Sequence, residues 1–117
     1  MEKNQEKLVM ARIKANYHTL TIKKSELAEK LKVSVKTISR DEKIALECVP
    51  DYVESRTINN KLKLKTPLTN YQQYCLRIIR QLMEAYQDRE VVINFLEENP
   101  NLLSIDNFMS KALKQRL

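Results

Sequence analysis

Ser34, Lys36, Thr37, Ser39 and Arg40 fall in one short stretch of a 117-residue chain. Their types and spacing suit recognition rather than bond-making. An Arg guanidinium matches the two acceptors on a guanine edge, a Lys ammonium pairs with phosphate, and Ser or Thr hydroxyls serve either. Ser34 stands where an N-cap belongs, because its hydroxyl can accept from backbone N–H groups of a first helical turn. A helix from Val35 to about Val49 would start there. The free N–H groups at such a start favour a phosphate. Ser34, Lys36, Thr37, Ser39 and Arg40 would face outward, with Val35, Ile38, Ala45 and Val49 turned toward the protein.

Other chemistry finds no footing. The chain contains no Gly, which excludes every Gly-rich phosphate loop. It has no GxSxG, no HExxH and no paired Cys/His spacing for zinc. His18 is the sole histidine and reads as a helix-end residue. Cys48 and Cys75 form no CxxC and read as buried thiols. Glu97 and Glu98 are adjacent and point to different parts of a helix surface, as a solvated face does. Tyr71 and Tyr74 flank no basic cluster, so a stacking platform for single strands is unsupported. The expectation is a non-enzyme with no metal, cofactor or small-molecule ligand.

The outward residues need a scaffold. A first helix from about Lys24 to Lys30 carries Leu27, Ala28 and Leu31, and Val33-Ser34 breaks it. Two helices joined by a tight turn form a helix-turn-helix, whose second helix can lie in the DNA major groove. The stretch SELAEKLKVSVKTISRD resembles the helix-turn-helix of bacterial winged-helix regulators, the type at the N-terminus of DeoR-like and Mga-like transcription factors. Glu26, Leu27, Ala28, Leu31, Val33, Ser34, Thr37, Ile38, Arg40 and Asp41 carry the resemblance. It implies a winged helix-turn-helix that binds double-stranded DNA. Three positions depart from that family. Lys32 stands where Gly is usual, Glu42 where an apolar residue is usual, and the first helix has no Ser or Thr cap unless Thr21 or Ser25 serves.

Residues 2–17 read as a bracing helix, with Val9, Ile13 and Tyr17 at i, i+4 and i+8. Thr19 to Ile22 is β-branched and short, and could add a strand to a wing sheet. Pro50-Asp51 would end the recognition helix. Tyr52, Val53, Thr57 and Ile58 have strand propensity, and Lys61 to Lys65 alternates Lys with Leu, as in a half-buried strand with leucines inward. Asn59-Asn60 between them tolerates a left-handed turn. A β-hairpin wing follows, its tip carrying Arg56, Asn59, Asn60 and Lys61. Its alternating lysines are equally the usual protection of an edge strand. Lys23, Lys24, Arg56 and Lys61 would add phosphate contacts.

Charge agrees with that placement. The net charge is +6, and residues 1–66 hold 15 Lys/Arg against 9 Asp/Glu, whereas residues 67–117 hold 6 of each. The whole excess lies on the half with the motif, as in a polyanion binder.

The fold class expected is mainly α with a small β-hairpin: a winged helix-turn-helix over 1–66, then a helical segment over 67–117. Thr69 would cap a helix from Asn70 to about Gln87. A second would run from about Arg89 to Glu98, and a third would start at Ser104 or Asp106. The segment reads as a homodimerisation unit; alternatively, the resemblance to Mga-like regulators, in which a second helix-turn-helix follows the first, implies that NFLEENPNLLSIDNFMSKALKQRL is the opening of an incomplete one. With no apolar run near 20 residues and a charged start, MEKNQEK, the expected location is the cytoplasm, off the membrane. Transcriptional regulation is the first functional expectation. A plasmid- or phage-encoded DNA-binding accessory protein for transfer, excision or replication is an alternative, since no sensor domain is evident. A winged-helix protein-interaction module is another.

Overall fold

The structure is a computed structural model that describes residues 21–116, with side chains described as far as residue 112. The helix expected over 2–17, His18, and the start of the Thr19–Ile22 stretch lie outside the described residues.

Among the described residues, six helices and one hairpin follow in order: α1 (Lys24–Leu31), α2 (Val35–Cys48), α3 (Pro50–Ser55), β1 (Thr57–Ile58), β2 (Lys61–Leu62), α4 (Asn70–Tyr86), α5 (Arg89–Glu98) and α6 (Ile105–Arg116). The protein is mainly α with one small two-stranded antiparallel sheet.

Local chemistry explains the boundaries. Neither Thr21 nor Ser25 caps α1. Lys23 takes the cap position, and its backbone N–H donates to Glu26 three residues on. Lys32 ends α1 with φ 58 and ψ 43, the left-handed geometry that Gly adopts most readily. The Val33 N–H then reaches back to the Ala28 carbonyl at 3.0 Å, which closes the turn. Ser34 caps α2, its Oγ accepting from the Thr37 N–H at 3.1 Å. Thr69 and Gln72 cap α4 reciprocally, and Asp88 caps α5. Ser104 starts α6 by accepting from the Asn107 N–H.

Four sequence expectations need correction around the hairpin. Pro50 does end α2, but it opens α3 rather than a turn, because a ring without N–H sits comfortably at a first helical position. Tyr52 and Val53 are therefore helical, and the first arm of the hairpin is only Thr57–Ile58. The second arm is Lys61–Leu62, and Leu62 is about half exposed rather than inward. The turn itself follows expectation: Asn59 and Asn60 have φ of 53° and 63°, a left-handed pair that suits a two-residue hairpin. Ile22 exchanges two backbone hydrogen bonds with Leu68, beyond the hairpin, and so does not extend its sheet.

One apolar core runs through the described chain. Leu27 and Ala28 of α1, Ile38, Ile44 and Ala45 of α2, and Tyr52 of α3 share it with Tyr71, Cys75, Leu76 and Ile79 of α4, Val92 and Leu96 of α5, and Met109 of α6. Pro67 marks a change in element type, and the core continues across it. Val35, expected to face the protein, is 44% exposed at the first position of α2. The thiols differ: Cys75 is buried, whereas Cys48 is half-buried and donates to the Ile44 carbonyl. Burial pushes Cys48 up to about 11 and Cys75 up to about 12.

Candidate nucleic-acid interface

Helix α2 is built with two unlike sides. Its buried side carries Ile38, Asp41, Glu42, Ile44 and Ala45. Lys36, Arg40 and Lys43, at i, i+4 and i+7, form an exposed cationic stripe on the other. Thr37 and Ser39 flank that stripe, half-buried, and exposed Ser34 stands at its N-terminal end. None of the three cations has an ion-pair partner among the described residues. Asp41 turns inward to Arg80 rather than to Arg40, which leaves the Arg40 fork free of its neighbour. Lys43 was missed from sequence, although its spacing from Lys36 and Arg40 was the available signal.

The hairpin adds a second exposed basic element. Asn59, Asn60, Lys61, Lys63 and Lys65 are all exposed, and the lysines have no acidic partner among the described residues. Lys23, before α1, is exposed in the same way. On the last two helices, Arg89 pairs with Glu47, and Lys111 lies 5.4 Å from the centre of the Tyr74 ring.

Two residues expected at the interface are placed otherwise. Arg56 is 1% exposed and sits at the hairpin root, not its tip. Its Nε donates to Glu42 Oε2 at 2.8 Å, and its Nη1 donates to the Thr66 carbonyl and hydroxyl, both at 2.9 Å. Lys24 pairs with Glu42 Oε1 at 2.5 Å, and its side chain is 20% exposed. The Tyr52 hydroxyl also donates to Glu42 Oε2. Burial alone would raise the Glu42 carboxyl, but Lys24, Tyr52 and Arg56 together hold it below its ordinary value. Tyr52 is pushed up, by burial first and then by the Glu42 charge.

This network fixes the hairpin against α2. Arg56 precedes β1 and Thr66 follows β2, so the one guanidinium ties both ends of the hairpin to α2 through Glu42. The rotation of α2 and the seat of the hairpin are therefore fixed by the same buried ions. A signal for it was present in the sequence. Ile38, Glu42, Ala45 and Val49 fall at i, i+4, i+7 and i+11, so a carboxylate interrupts an apolar stripe. A buried carboxylate requires a cation.

Comparison with protein-family models, with curated proteins and with solved structures found no match. Among the described residues, no helix is long and apolar enough to cross a membrane.

Proposed function

We propose that the chain binds duplex DNA sequence-specifically as a transcriptional regulator, with α2 in the major groove and the hairpin against the backbone. The observation that carries this reading is the distribution of uncovered charge. Cations without acidic partners line the outer face of α2 and the hairpin, whereas Arg89, on α5, pairs with Glu47 and Lys111, on α6, lies against the Tyr74 ring. A capped helix start, a cationic stripe along the same helix and an adjacent basic wing are the parts a groove-reading protein needs. Pairing of two protomers, to read two half-sites, belongs to the same proposal.

Roles divide by chemistry. In this reading Arg40 meets a guanine through O6 and N7. Lys36 and Lys43 flank it for phosphate or base edges, and Ser34 with the first N–H groups of α2 holds a phosphate. Lys61, Lys63, Asn60 and Lys23 contact backbone.

Selection from a random duplex pool supplies the site, and titration of variants against that site and its single-base changes supplies the test. Arg40→Ala is expected to cost about 1–3 kcal/mol on the preferred site and to flatten discrimination at one base pair. Lys63→Ala should weaken all sequences equally or leave them unchanged. Equal loss on every duplex with Arg40→Ala would leave that residue only an anchoring role. With about five phosphates neutralised per protomer, log K against log salt should have a slope near −4.5. A slope near zero would remove duplex DNA as the ligand and favour a protein-docking surface.

A further inference from the structure

We propose that a second phosphate seat lies on the flank of the helix-turn-helix, where α4 meets the turn, and that it holds a phosphodiester of the bound duplex. This rests on the DNA-binding reading above. A cleft of about 300 Å³ opens there between Lys30 and Lys32, from the end of α1, and Arg77, Arg80, Gln81 and Glu84 of α4. Four cations thus meet one carboxylate at the rim, Glu84, whose side chain is 64% exposed.

Their charge is little spent inside the protein. Lys30, Lys32 and Arg77 have no ion-pair partner among the described residues. Arg80 stands off its two carboxylates, with Nε 3.6 Å from Asp41 Oδ2 and 3.9 Å from Glu84 Oε1. That Nε is buried and makes no hydrogen bond. Four like charges around one cleft repel, and an anion relieves them. A guanidinium fork also matches the geometry of phosphate oxygens.

The position fits the main interface. Lys32 is two residues from Ser34, so at most about 7 Å of backbone separates this wall of the cleft from the start of α2. A strand whose phosphate sits at Ser34 passes the cleft with a neighbouring one. Such a contact sets register and carries no sequence information. It gives the C-terminal half a part in DNA binding through α4, within one protomer.

The test uses the full chain and the selected duplex, titrated across salt. Arg77→Gln and, separately, Lys30→Gln are expected to make the slope of log K against log salt shallower by about 0.9, the share of one phosphate. The same change corresponds to about fivefold weaker binding near 0.15 M salt, equal for the selected site and its single-base variants. Arg77→Lys should recover most of the slope, because it keeps the charge. If the parent binds with a steep slope and both Gln variants match it, the seat is wrong and the major-groove reading stands. If the parent shows no salt-dependent duplex binding, both fall together. A loss in Arg77→Gln that Lys does not recover, with slope unchanged, marks a packing role and overturns the seat.

Discussion

Asp41 and Glu42 are neighbours on α2, both about 2% exposed, yet their surroundings push them in opposite directions. Glu42 faces the hairpin root, where Lys24, Tyr52 and Arg56 all reach its oxygens at hydrogen-bonding distance. Asp41 faces α4, where the approach of Arg80 is too long for a hydrogen bond. Burial penalises both anions. Three donors overcome that penalty at Glu42. One distant cation does not at Asp41, whose carboxyl is raised to about 6 mainly by burial. Placing a charge of opposite sign nearby is thus not enough: the offset requires donors in contact. The side of α2 that meets the hairpin is held by ions in hydrogen-bonding contact, with only Arg56 Nη2 left unpartnered, while the side that meets α4 is held by apolar packing around a weak one.

The largest way to break that contrast is Glu42→Gln. It leaves Arg56 buried without its anion and is expected to lower unfolding stability by about 3–5 kcal/mol, read from denaturant titration. Replacing both ions, Glu42→Met with Arg56→Met, should recover part of that loss, since apolar groups of similar volume need no compensation, while the Tyr52 hydroxyl loses its acceptor. If the chain binds duplex DNA as proposed, the double variant should bind it more weakly than its stability implies, because the hairpin is no longer tied to α2. The pH dependence of the parent has the matching sign. The Glu42 carboxyl lies below its ordinary 4.5, so its contribution is present above that value and is lost as pH falls through the lower folded value.

Asp41→Asn should act the other way. Its folded pKa of about 6 exceeds the ordinary 3.8, so the folded chain keeps a proton that the unfolded chain has released. That contribution is present below about 3.8 and is lost as pH rises to about 6. The variant should therefore be about 1–2 kcal/mol more stable than the parent at pH 7 and near parity at pH 3.5, with less decline between pH 4 and 6. A destabilised variant at pH 7 would show that the Arg80 contact outweighs burial.

The smallest effect expected is at the turn. Lys32→Gly relieves a left-handed backbone strain of about 1 kcal/mol, and the greater freedom of Gly in the unfolded chain offsets part of the gain. Thermal unfolding should find equal or slightly higher stability. A loss beyond about 1 kcal/mol would mean that the Lys32 stem contributes packing.

Much of this was legible in the sequence because it is local. Ser34, Thr69 and Pro50 punctuate helices through their own side chains, and Asn59-Asn60 admits the left-handed turn that a chain without Gly still needs. The Lys32 position, read from the family resemblance, does carry positive φ. What sequence reading missed depends on long-range packing. Arg56 looks like a wing-tip cation until Glu42, fourteen residues earlier, is seen to require it. Val53 has the β-branched type of a strand but lies in the short helix that Pro50 starts. Arg77 and Arg80 join the flank of the turn only once α4 folds against α2.

The closure of the hairpin around Arg56 has a consequence in time. Two strands of two residues each would open and close on their own many times over before the protein unfolds. Here opening the root, where the Lys63 N–H meets the Arg56 carbonyl at 2.8 Å, would strip a buried guanidinium of its Thr66 acceptors and disturb the anion that α1, α2 and α3 share. The amide of Lys63 should therefore exchange with solvent deuterium at a rate close to that of core amides in α2, while the exposed amides of Asn59 and Asn60 exchange freely. A hairpin that opens only with the body behind it would present its exposed lysines to the proposed duplex already shaped.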